Sequence, residues 1–239
     1  MAVQGEVEHS LPWPRIRRTP LDFRSDHGFR EPRAALPTEL KLTQSQRRRR
    51  QRILLAAAAV ACDGGYDGVQ MRLVAERASV ALGTVYHYFP SKEHLLVTLL
   101  GEWLETFSDP AAAPVPPNGD CASGRLRHIA DRLSAMTGAN PQLADAMVRS
   151  YLFADARVSI EVANVRKQLA TIFAGGRSDI QLTEREKATG YLLADVWTSQ
   201  VLAMVRGRVT TEQVRARLAR AIDLLARSRN DSSYVPPTG

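Results

Sequence analysis

The sequence predicts an all-α protein, and three observations carry that prediction. Apolar residues recur at helical intervals, as Met71, Val74, Ala75 and Ala78 do at i, i+3, i+4 and i+7. Three Ser/Thr-x-x-Glu/Gln boxes, Thr43 with Gln46, Thr183 with Glu186 and Thr210 with Gln213, have the pattern that satisfies early backbone donors at a helix start. No stretch shows the period-two alternation of a half-buried strand.

The composition narrows the class. The chain has 239 residues, of which 44% are apolar, as in an ordinary globular protein. No apolar run is long enough to cross a bilayer and the first twenty residues lack a signal-peptide core, so the expected location is cytoplasmic. The two cysteines, Cys62 and Cys121, stand apart from any CxxC or Cys/His spacing, so no metal site or disulfide framework is expected. HExxH, P-loop, GxSxG and dinucleotide fingerprints are absent, so no cofactor is expected and an enzyme is disfavoured. The net charge is +7, but Trp13 to Arg52 alone carries 12 Lys and Arg against 4 Asp and Glu, or +8. Such a concentration suits a polyanion, since cations near phosphates release condensed counterions; a solvated tail, RNA and a membrane surface are open on charge alone.

In chain order, residues 1–42, with five prolines and no periodicity, read as a basic, disordered arm. A first helix begins at the Thr43 box, places Ile53, Ala57, Val60 and Ala61 on its apolar side and stops at Gly64-Gly65. The Met71 to Ala78 helix is followed by a turn at Ser79-Val80 and a second short helix anchored by Val85 and Phe89. Pro90 ends it, Ser91 caps a longer helix through Leu96, Leu100, Trp103 and Phe107, and a proline-rich stretch then marks the expected domain boundary. The second half continues with helices through Leu126 to Met136, from Pro141, from Ser159 to Phe173 (closed by Gly175-Gly176), and from each of the last two boxes. The final helix carries a stripe of Val214, Leu218, Ile222 and Leu225, which suits either its own core or a second copy of the chain in a four-helix bundle.

The stretch ASVALGTVYHYFPSKEHLL carries the chemistry. Two short helices joined by a tight turn form a helix-turn-helix, whose second helix enters the major groove of DNA. Gly83 permits close approach. Leu82, Thr84 and His87 lie away from the anchors and offer a methyl contact, a hydroxyl and a ring nitrogen to bases. Tyr86 and Tyr88 suit phosphate oxygens, and Lys92 stands in the first turn of the next helix, where the dipole already favours an anion. Half-buried tyrosines and a solvated lysine are the plain alternative. Arg47 to Arg50 are placed to reach phosphates or an adjacent minor groove.

Ala78, Val80, Gly83, Thr84, Val85, Tyr86, Tyr88, Phe89 and Lys92 resemble the DNA-binding motif of the TetR family of transcriptional regulators. Ser79 stands where the family usually has glycine, and Met71 where a threonine is frequent. The resemblance implies a helix-turn-helix three-helix DNA-binding domain over 43–107, a helical ligand-binding and dimerisation domain over 121–229, and a tail over 230–239. It implies that Arg72, Leu82, Gly83, Thr84 and His87 face bases of a palindromic operator in double-stranded DNA, while Gln70, Tyr86, Tyr88 and Lys92 hold phosphates.

NPQLADAMVRSYLFADA and VWTSQVLAMVRG are similar to the KstR-type repressors within that family. That likeness implies a homodimer through the last two helices, repressing lipid or sterol catabolism genes and released by a CoA thioester of an acyl or steroid acid or by another lipid-like effector. The effector would contact Met136, Leu143, Met147, Tyr151, Phe153 and Trp197 in an apolar cavity. Arg149 and Asp155 are placed to orient its polar end, or else to pair with each other or to lie at the surface. A regulator of efflux or fatty-acid metabolism, and a helical RNA- or membrane-binding adaptor, are the alternatives.

Overall fold

The computed structural model describes residues 42–108, 122–174 and 182–231. The arm before Leu42, the proline-rich connection with Cys121, Gly175-Gly176 and the tail beyond Asp231 lie outside the described residues. The described residues contain no strand; their helices are α1 (Gln44–Gly68), α2 (Met71–Arg77), α3 (Leu82–Tyr88), α4 (Lys92–Ser108), α5 (Ala122–Ala139), α6 (Pro141–Phe153), α7 (Ser159–Phe173), α8 (Glu184–Val205) and α9 (Thr211–Asp231). A 3-10 turn, Ala156–Val158, links α6 to α7.

The chain divides into two units, Met1–Arg48 and Arg49–Gly239. In the first, the described residues are the start of α1, where the Thr43 amide donates to Gln46 Oε1 (2.8 Å) and the Gln46 amide to Thr43 Oγ1 (3.3 Å). Both bonds of the same motif recur at Thr183 with Glu186 and at Thr210 with Gln213. Ser91 caps α4 through the His94 amide (3.1 Å), and Asn140 caps α6 with Pro141 in its first turn. Four backbone amides are free at every helix start, and these side chains satisfy some of them.

In the second unit, α1 buries Ile53, Leu54, Ala57 and Ala61, and α2 and α3 contribute Val74, Ala75, Val85 and Phe89. Gly65 takes φ 60°, ψ −160°, a region open essentially to glycine, so the chain breaks direction there before Tyr66–Gly68. From α4 onward the helices pack as a bundle: α4 lies on α6 and α7, α7 on α8, α6 on α8, and α9 on α5 and α8. The α7–α8 contact is close because Gly190 meets the Ala170 backbone, where a Cβ would lie 2.2 Å from the Ala170 carbonyl oxygen.

Two features of this packing bear on the expected organisation. The proline-rich stretch follows α4 in sequence, but α4 itself is packed against the second half of the chain, so it belongs to both halves. The α9 stripe serves its own core: Val214, Leu218 and Ile222 are at most 1% exposed, with α5 and α8 as neighbours.

Candidate nucleic-acid interface and pocket

The reading head is built from α2, a turn and α3. Ala78 closes α2, and the Ser79 amide bonds to the Glu76 carbonyl (3.1 Å) while the Val80 amide reaches the Ala75 carbonyl (3.0 Å). This is the paired bonding of a Schellman stop, whose outer residue must be left-handed; Ser79 is so, at φ 52°. The backbone cost of serine in place of glycine there is about 1 kcal/mol.

Val85 and Phe89 are 0% and 1% exposed and fix one face of α3 to the core. The opposite face is open: Leu82 is 39% and Tyr86 47% exposed, and Gly83 and His87 are exposed beside them. Thr84 and Tyr88 are half-buried at the border, with the His87 ring edge-on to Tyr88 at 5.3 Å. Nothing lies within 4 Å of where a Gly83 Cβ would be, so packing within the chain does not demand glycine there. Gln70 is exposed before α2, and Arg72 projects from it, loosely paired with Glu76 at 3.5 Å. Seven of the nine residues assigned to DNA therefore border or occupy an open surface, and Arg72 stands there in an exposed ion pair.

Lys92 has another partner. Its Nζ donates to the Tyr66 carbonyl (3.2 Å) and lies 3.7 Å from the Tyr66 ring centroid. Arg50 likewise turns to Glu102 of α4, with its guanidinium 5.5 Å over the Phe89 ring.

Sequence reasoning missed the polar cluster around Tyr66. The Tyr66 hydroxyl donates to Glu93 Oε1 (2.8 Å) and its amide to Asp145 Oδ2 (3.2 Å). Arg149 donates to Asp67 (2.8 and 3.3 Å) and to Asp145 (3.4 Å), with its Cζ 4.3 Å from the Tyr66 ring. Burial first, then the Glu93 bond, pushes the Tyr66 phenol up to about 12. For Glu93, burial acts upward, but donors from Tyr66, its own amide and Ser91, with the Lys92 charge, hold it below the usual carboxylate range. The hydrogen bond from Arg149 holds Asp67 low as well. The signal in the sequence was slight: an aromatic directly after Gly64-Gly65, with its partners up to 83 positions away.

A pocket of about 540 Å³ opens between α6, α7 and α8. Tyr151 and Leu152, Val162 and Arg166, and Asp195, Thr198, Ser199 and Leu202 line it. Burial raises the Tyr151 phenol while the Arg166 charge pulls it down, and Arg166 faces Asp195 at 3.7 Å. Of the six residues expected around a cavity, Tyr151 lines this one. Leu143, Met147 and Trp197 are at most 5% exposed and packed in the core, and Met136 is half-buried on α5. Phe153 is 62% exposed, because α6 ends there and the chain turns away at Ala154. Two buried polar atoms lie beside pocket residues in sequence: Ser150 Oγ and Trp197 Nε1 have no hydrogen-bond partner among the described residues. Arg149 is committed to Asp67 and Asp145, and Asp155 binds Arg157 (2.6 Å), so the two do not pair with each other.

No helix among the described residues is long and apolar enough to cross a membrane. Residues 53–99 match the family described as bacterial regulatory proteins, tetR family, and residues 119–225 match the tetracyclin repressor-like C-terminal domain. The HTH-type transcriptional repressor KstR of Mycolicibacterium smegmatis is 42% identical over 186 residues, 77% of this chain and 89% of that protein. KstR of Mycobacterium tuberculosis is 40% identical over 186 residues, 77% and 83% of the two chains. Among solved structures, a TetR transcriptional regulator from Rhodococcus sp. RHA1 matches with a TM-score of 0.69 at 29% identity, covering 77% of this chain and 97% of that one.

Proposed function

This chain belongs to the TetR family of bacterial regulatory proteins, and from that premise we propose that it is a ligand-responsive repressor of lipid or sterol catabolism genes. The observation that carries the reading is the open face of α3, Leu82, Gly83, Tyr86 and His87, held outward by buried Val85 and Phe89 in a chain some 40% identical to KstR repressors over most of its length.

In this reading the chain is a cytoplasmic protein without enzymatic activity. Arg72, Leu82, Gly83, Thr84 and His87 meet base edges, and Gln70, Tyr86 and Tyr88 hold phosphates; Lys92 adds its charge from beneath, where it is half-buried against Tyr66. Two copies associate through α8 and α9, on which Leu192 and Leu224 are 54% and 62% exposed although α9's stripe is already buried. The reading helices of such a dimer address half-sites about one DNA turn apart, roughly 34 to 36 Å, on a palindromic operator.

The effector is an acyl- or steroid-CoA thioester whose apolar part enters between α6, α7 and α8. Tyr151, Leu152, Val162 and Leu202 supply apolar wall there, and Arg166 supplies a cation at the rim. Such a ligand shifts the dimer only if it binds the released shape more tightly than the DNA-bound one.

Selection of bound fragments from genomic DNA tests the first half of this reading: recovery of a palindrome upstream of catabolic genes is expected, and enrichment of no duplex refutes it. A mobility-shift titration with stearoyl-CoA and a steroid-acid CoA thioester tests the second half. Operator affinity unchanged by either compound, each shown to bind, refutes release by that class.

A further inference from the structure

The end of α1 is tied to α4 and α6 around one aromatic residue, Tyr66. The break at Gly65 sets Tyr66 where its amide donates to Asp145 of α6, its carbonyl accepts from Lys92 of α4 as well as from the Val69 amide, and its hydroxyl donates to Glu93 of α4. Arg149 of α6 lies 4.3 Å from the same ring and grips Asp67 next to it. A Cβ on Gly65 would itself lie 3.3 Å from Asp145 Oδ2. The reading head is fastened to this stretch of α1, since Arg77 of α2 pairs with Asp63 at 3.0 Å. Residues 63–67 thus link α2 to α6, beside the link made by α4, which follows α3 and packs on α6.

We propose that this joint, Tyr66 with Asp67, Lys92, Glu93 and Arg149, sets the angle of the reading head, so that Asp67 and Arg149 are positioning residues for DNA although they touch none of it. The proposal rests on reading the chain as a dimer that addresses two half-sites. A head held at one angle meets both half-sites without further ordering. A loosened head must be ordered on binding, and only the two-site complex bears that loss. Arg149 also stands two residues from Tyr151 of the pocket wall, so α6 faces the joint on one side and the pocket on the other.

Asp67 is the useful probe. Its side chain is 80% exposed, and a surface ion pair contributes little to stability, so Asp67→Asn should fold normally. By charge alone, removing a carboxylate should leave DNA affinity unchanged or raise it. The joint predicts the opposite sign. On a palindrome selected by the wild-type chain, Asp67→Asn should bind about three- to tenfold more weakly, while affinity for a single half-site at low salt stays unchanged. Asp67→Asn added to Arg149→Gln should cost nothing more, because the two changes remove one shared contact. Unchanged or tighter palindrome binding overturns the proposal, as does an equal loss on both duplexes. Amide exchange at residues 66–69 of the free protein supplies a readout independent of DNA: faster exchange in Asp67→Asn at an unchanged melting temperature is expected, and unchanged exchange overturns the joint. A wild-type chain that selects no duplex ends the DNA reading, and exchange then still decides whether the joint exists.

Discussion

Replacing Gly83 by alanine separates what the fold needs from what the function needs. Gly83 is the second residue of α3 and nothing lies within 4 Å of the position its Cβ would take, so the added methyl meets no atom of the chain. Alanine loses less backbone entropy on becoming helical, a gain of about 0.5–1 kcal/mol in a helix interior and toward the lower figure in a first turn. For a chain of this size, a gain of about 0.5 kcal/mol raises the melting temperature by roughly 1–2 °C. In the proposed complex the same methyl would stand at the point of closest approach and hold the helix out from the groove. Contacts from Leu82, Thr84 and His87 lengthen together; losing the equivalent of one good base contact, about 1–3 kcal/mol, lowers affinity roughly tenfold or more. Thermal unfolding and a duplex-binding titration on the same preparation read both effects. A Gly83→Ala chain that binds its operator like the wild type, or that melts lower, refutes the reasoning, since glycine would then serve the fold.

Gly190→Ala has the opposite character. Its Cβ would sit 2.2 Å from the Ala170 carbonyl oxygen, where ordinary contact begins at 3.4 Å, so α7 and α8 must part by roughly 1 Å. A destabilisation of about 3 kcal/mol, near 6–12 °C in melting temperature, is expected in thermal unfolding. Ser79→Gly relieves the left-handed serine and should stabilise by about 1 kcal/mol in urea unfolding. The joint also predicts an acid limit. The folded pKa of Glu93 lies below the unfolded value of about 4.3, so its contribution is complete above that value and is lost as pH falls through the folded one. The stability difference between wild type and Tyr66→Phe, which removes the donor to Glu93, should be constant near neutrality and shrink below about pH 4; a difference that grows on acidification contradicts the assignment.

Local features of this chain were legible because their causes are local. All three capping boxes form both bonds, α7 runs from Ser159 to Phe173 as its periodicity indicates, and Ser79 takes the strained φ that the missing glycine implies. Val85 and Phe89 are buried because their spacing places them on one face of α3. What the sequence withheld depends on partners distant along the chain. Asp67 and Arg149 are 82 positions apart and nothing near either announces the other. Arg50, in a run of arginines that suits phosphate, is claimed by Glu102 fifty-two positions on. The apolar residues of α6 illustrate the limit of periodicity. Leu143 and Met147 share a helical face with the core, whereas Phe153 is just as apolar but lies where the helix ends and has nothing to pack against.

The two working sides of α6 have a genetic consequence. Asp145 and Arg149 grip the end of α1, while Tyr151 and Leu152 line the pocket, so the proposed joint and the proposed inducer pocket fall within eight consecutive codons. A screen that selects altered inducer response from changes in this window will return alleles with shifted basal repression as a matter of course. Second-site changes that restore repression in those alleles are expected at Tyr66, Asp67 and Glu93, far from the pocket in sequence.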